Sequence, residues 1–141
     1  MSDALQSQLC FEGVLLFLLG LLGGVAIPAF RSPRIGLSAH LAAIEGGLVL
    51  IAVGLVGARL ELSSAWAAAI AHALAISLYA LWVGLVAGAI WGTGRTLPIA
   101  GAGLVAKPHQ ERIAQLLIVG GSIGSALGSA ALLVLWNWRA H

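Results

Sequence analysis

The chain predicts an all-α integral membrane protein: a bundle of four transmembrane helices that assembles as a homo-oligomer. Three observations carry that class. Of its 141 residues, 60% are hydrophobic and 9% charged, and the mean hydropathy is +1.03, outside the range of water-soluble domains. Polar residues divide the chain into four apolar runs, about 9–30, 37–58, 64–91 and 113–138, each near or above the roughly 20 residues that cross a bilayer. Glycines spaced four apart recur in three of these runs, and small residues at that interval let helix backbones approach closely in lipid. Residues 1–141 read as one domain.

The first run lacks the basic leader and the short length of a secretory signal. Asp3 and Glu12 stand where positive charge belongs, so it reads as a retained helix. Gly20 and Gly24 give it a small-residue face. It ends at Ile27-Pro28, and Arg31-Ser32-Pro33-Arg34 makes a short polar turn that sends the next helix back antiparallel.

The second run carries two ionisable side chains, His40 and Glu45. Such groups persist in hydrocarbon where they meet a partner, a cofactor or a water-filled pocket. His40 lies about one turn inside the run. It is either the single axial ligand of a haem b, with the opposite iron position open to substrate, or a histidine hydrogen-bonded to a neighbouring carbonyl. Glu45 follows about 140° further around a regular helix, so the two are not a simple dyad. A proton donor, a partner for another histidine and an interhelical hydrogen bond are its three readings.

On the third run His72 and Tyr79 are two turns apart and share one face. Trp82 lies deeper than the other tryptophans and extends an aromatic wall suited to a flat apolar substrate. Trp66, Trp91, Trp136 and Trp138 stand at helix ends and read as interfacial anchors. Gly84, Gly88 and Gly92 repeat the four-residue spacing. The segment from Trp91 to Gln110 is long for a compact protein, which marks it as a binding element or lid. Its glycines do not make a phosphate loop, since no strand precedes them and the lysine is misplaced. The fourth run carries Gly120, Gly124 and Gly128, with Ser125 and Ser129 beside them.

The net charge of +2 is spread thinly and carries no nucleic-acid signature. Five of the seven basic residues, Arg31, Arg34, Arg95, Lys107 and Arg112, flank the first and third connections. This places residues 31–36 and 92–112 on the cytoplasmic side and both termini outside, in what is expected to be a bacterial inner membrane. The lone Cys10 excludes an intramolecular disulfide. No strong catalytic signature such as G-x-S-x-G or H-E-x-x-H occurs. Four short helices leave little room for a buried pocket, so a cofactor or substrate site is expected between adjacent copies or at the bundle edge.

Ser38-Ala39-His40-Leu41, Gly46-Gly47, Leu78-Tyr79-Ala80 with Trp82, Trp91-Gly92-Thr93-Gly94-Arg95 followed by Leu97-Pro98-Ile99-Ala100-Gly101, and Gln110-Glu111 together resemble the hydroxylaminobenzene mutase family. The likeness spans about residues 10–138, and more distantly the chain is similar to styrene oxide isomerase. The resemblance implies a homotrimer that isomerises a small aromatic substrate arriving from the lipid bilayer, aryl hydroxylamine to aminophenol or aryl epoxide to aldehyde. It implies haem b, with ferric iron as the Lewis acid and His40 as its axial ligand. Tyr79 and Glu45 would then be the catalytic polar groups, with Trp82, Gly46 and Leu81 shaping the substrate pocket. The family pattern carries asparagines where this chain has Gly46 and Leu81. Their absence implies a different substrate, a compensating role for Glu45, or a non-enzymatic haem-binding or electron-transfer protein in which His72 is a second iron ligand.

Overall fold

The computed structural model describes residues 3–59 and 65–139. Helix α1 spans Asp3–Ala26 and is prolonged by a 3-10 turn, Ile27–Ala29; α2 spans Pro33–Arg59, α3 Ala65–Trp91 and α4 Pro108–Arg139. All four are long and apolar enough to cross a bilayer. Prolines open α2 and α4. At the first helical position the missing N–H has no partner to lose, so both helices begin ahead of their apolar runs. Likewise α1 begins at Asp3, because a polar first turn can be helical without being buried. Ser64, the predicted start of the third helix, and the side chains of Arg59, Trp138 and Arg139 lie outside the description.

The helices form a row of two hairpins. α1 lies along α2, α2 along α3 and α3 along α4, while α4 meets α3 alone among the described helices. One apolar core gathers Leu9, Leu16, Leu50 and Leu74; a second gathers Ile35, Ala39, Leu85 and Ala89. Trp82 packs against both.

Glycines set the closest approaches. A Cβ on Gly47 would stand 2.6 Å from the Gly13 carbonyl oxygen, and one on Gly13 would stand 2.7 Å from that of Gly47. On α4 the seam facing α3 is Gly121, Gly124 and Gly128, against Leu81, Ser77 and Leu74, whereas Gly120 faces open space. The expected 120–124–128 stripe is thus displaced by one residue at its start. A strict four-residue repeat drifts around a helix of about 3.6 residues per turn, and alternating three and four stays on one face. Gly92 does not belong to a seam either; its φ of 71° ends α3 and turns the chain into the loop.

The segment between α3 and α4, read from sequence as a lid or binding element, is fastened down. Arg31 Nη1 donates to Trp91 O at 2.9 Å. Ser32 donates through its backbone N–H to Ala89 O at 3.0 Å and through Oγ to Ala100 O at 3.1 Å. From the other side the buried Glu111 carboxylate accepts Thr96 Oγ1 at 2.7 Å, Thr96 N at 2.9 Å and Arg95 N at 3.3 Å. These bonds put the first and third connections at one end of the molecule.

Candidate functional site

His40 sits in a notch of α1. Its Nδ1 is 2.7 Å from the Gly20 carbonyl oxygen. A carbonyl only accepts, so this nitrogen is the donor, and in the neutral ring Nε2 is then the nitrogen with the free lone pair. The ring rests where a side chain on Gly24 would be: a Cβ there would meet Nδ1 and Cε1 at 2.7 Å. Gly20 packs against Ala43 and Ile44 of α2, as its small-residue spacing predicts, and Gly24 makes room for the imidazole. The two readings of His40 are compatible, because a ligating histidine is ordinarily oriented by a hydrogen bond from its other nitrogen.

A second polar group lies further along α1. Glu12, Leu15, His72, Ala75, Ile76 and Tyr79 line a pocket of about 380 Å³ between α1 and α3. Tyr79 Oη donates to the Glu12 carbonyl oxygen at 2.7 Å, and the Glu12 carboxylate accepts Gln8 Nε2 at 2.8 Å. His72 and Tyr79 do share a face, and the structure brings them to Glu12. In the sequence Glu12 argues against a signal peptide, and as an acid inside an apolar run it also carries the signal that singles out Glu45.

His40 is not among the residues of this pocket. Its anchor, Gly20, and the anchor of Tyr79, Glu12, are eight positions apart on one helix, roughly 12 Å at the ordinary helical rise. His72 therefore stands with Tyr79 rather than with His40. Glu45 is exposed, between Leu41 and Leu48 on the side of α2 turned away from α1 and α3. Gly46 is buried, with a Cβ position 3.2 Å from Leu16 and 3.5 Å from Leu78, so two leucines fill the space of an asparagine side chain. Leu81 packs toward α4 at Gly121, and Trp82 bridges the two cores.

Four helices long and apolar enough to cross a bilayer, with His40, His72 and Tyr79 on them, describe a polytopic membrane protein. The family model for styrene oxide isomerase matches residues 5–139, and the chain belongs to that family. It is 36% identical over 132 residues to hydroxylaminobenzene mutase HabA of Ectopseudomonas oleovorans, covering 93% of this chain and 96% of the relative. To hydroxylaminobenzene mutase HabB of the same organism it is 34% identical over 137 residues, covering 96% and 82%. No solved structure matches the chain. This kinship supports an enzyme of the isomerase or mutase type.

Proposed function

We propose that the protein is a membrane isomerase that rearranges a small aryl hydroxylamine to an aminophenol, with His40 holding haem b. The observation that supports the cofactor is the His40 hydrogen bond: with Nδ1 held 2.7 Å from Gly20 O, Nε2 is the ring nitrogen left for iron. The donor set fits such a group. Among the described residues no cluster of three or more His, Cys, Asp or Glu could hold a bare metal ion, whereas a porphyrin brings four nitrogens of its own and asks one ligand of the protein. A ferric haem bound there supplies a Lewis acid that stabilises negative charge developing on the substrate oxygen.

The rearrangement is redox-neutral. The N–O bond breaks, a C–O bond forms on the ring, and the proton leaving that ring carbon ends on nitrogen. Glu12, His72 and Tyr79 could carry a proton for a substrate that reaches the pocket between α1 and α3, which His40 does not line. Glu45, on the outer side of α2, belongs in this reading to the junction with a neighbouring copy, where an intramembrane acid finds a partner. A homo-oligomer, a trimer by resemblance, would supply that copy.

The test is an absorption spectrum of detergent-purified protein, oxidised and then reduced, followed by incubation with phenylhydroxylamine and separation of aminophenols. A Soret band lost in His40→Ala, together with aminophenol formation by the parent, supports the reading. Full haem content in His40→Ala removes the ligand assignment. A haem protein whose band ignores the hydroxylamine and that forms no product is the electron-transfer alternative.

A further inference from the structure

At the loop end of α4 lies a second pocket that the reaction does not use. Arg95, Thr96, Glu111, Arg112, Gln115 and Ile118 are among the residues that enclose about 340 Å³. Its continuation, about 480 Å³, shares Arg112, Gln115 and Val119 and runs on past Leu116 to Gly120. The two form one groove, charged at the loop and apolar along the outer side of α4.

We propose that this groove binds an anionic phospholipid, its phosphate between Arg95 and Arg112 and one acyl chain along Leu116, Val119 and Gly120.

Charge decides the head. Glu111 is the one acid among the lining residues, and its carboxylate is already engaged by Thr96 and by the backbone N–H of Arg95. Two exposed guanidiniums therefore face a single, hydrogen-bonded carboxylate. A guanidinium matches a phosphate in a bidentate way that an ammonium does not. The Gln115 amide adds a donor for the glycerol or ester oxygens. Position decides that the anion is a lipid rather than a free phosphate. The pocket opens not to a closed polar cup but onto an exposed apolar side of a helix long enough to cross a bilayer, where Leu116 and Val119 are exposed and nothing lies within 4 Å of a Cβ on Gly120. Basic pockets at helix ends on the surface richest in Lys and Arg are where anionic headgroups collect. Five of the seven basic residues lie at this end.

The full-length protein in a neutral detergent is mixed with long-chain phosphatidylglycerol or with phosphatidylcholine of the same chains, and retained lipid is read by native mass spectrometry. Phosphatidylglycerol is expected to be retained in preference, and R95Q/R112Q to lower that retention roughly thirtyfold, the scale of two basic residues against an anionic lipid. The pair R34Q/K107Q removes the same charge outside the groove and should leave retention unchanged. G120F fills the apolar half and should reduce retention of long-chain phosphatidylglycerol while sparing a short-chain form. Equal loss in both charge pairs would reduce the effect to general surface potential and overturn the site. Equal retention of phosphatidylcholine, or displacement of the lipid by equimolar glycerol 3-phosphate, overturns the assignment to an anionic lipid.

Discussion

The imidazole of His40 occupies the space that a side chain on Gly24 would need, one turn beyond the Gly20 carbonyl that accepts its hydrogen bond. Glycine here does two things at once. It lets α1 and α2 close together, and it leaves a slot in which one ring orientation and one tautomer are selected.

Gly24→Ala should therefore act on the histidine before it acts on the helices. The added methyl would stand 2.7 Å from Nδ1 and Cε1, so the ring must move and the bond to Gly20 is strained or lost. An interhelical hydrogen bond in a membrane is worth about 0.6 kcal/mol, so the loss of stability is small. The Soret band of a haem held by His40 should shift, and an unchanged band would show that the ring does not depend on this notch.

Gly47→Leu tests the α1–α2 seam itself. Its Cβ would press on the Gly13 carbonyl oxygen and the Phe17 backbone nitrogen, neither of which can rotate away. Overpacking of this kind costs about 1–3 kcal/mol, readable as a lower midpoint in detergent unfolding. Gly23→Ala meets nothing within 4 Å and should change the midpoint little.

Glu111→Ala should loosen the segment from Gly92 to Lys107. It leaves the part-buried N–H groups of Thr96 and Arg95 without their acceptor, a penalty of about 1 kcal/mol, the low end for unsatisfied donors because water can reach them. Limited proteolysis should cut that segment faster than in the parent. Glu111→Gln, which keeps one acceptor oxygen, should be milder; equal resistance of both variants would mean that Arg31 and Ser32 alone hold the loop.

Tyr79→Phe separates strut from proton carrier. Losing the bond to Glu12 O should cost less than about 1 kcal/mol. If the hydroxyl also carries a proton during turnover, the rate should fall by roughly a hundredfold. Unchanged turnover with slightly lowered stability would leave Tyr79 as a structural link between α1 and α3.

The candidate side chains were legible because ionisable residues in apolar runs are rare and stand out. His40, Glu45, His72 and Tyr79 were each visible on that ground, and the shared face of His72 and Tyr79 follows from helical spacing alone. What they touch was not legible. Both key acceptors, Gly20 O and Glu12 O, are backbone carbonyls, which leave no mark in the sequence, and the Tyr79–Glu12 bond joins residues 67 positions apart. Glu12 is ionisable and inside the first run, but so near the N-terminus that sequence alone does not show it facing another helix.

By itself the sequence determined the number of spans, the short first turn and which side chains are costly in lipid. These are local properties, set by apolar length against bilayer thickness and by proline and glycine punctuation. Tertiary structure decided which faces meet. In hydrocarbon no hydrophobic drive distinguishes one apolar face from another, so partners are chosen by backbone shape and a few hydrogen bonds. Gly13 against Gly47, Gly121 against Leu81 and His40 in the Gly20–Gly24 notch are such choices, each requiring two distant segments to be seen together.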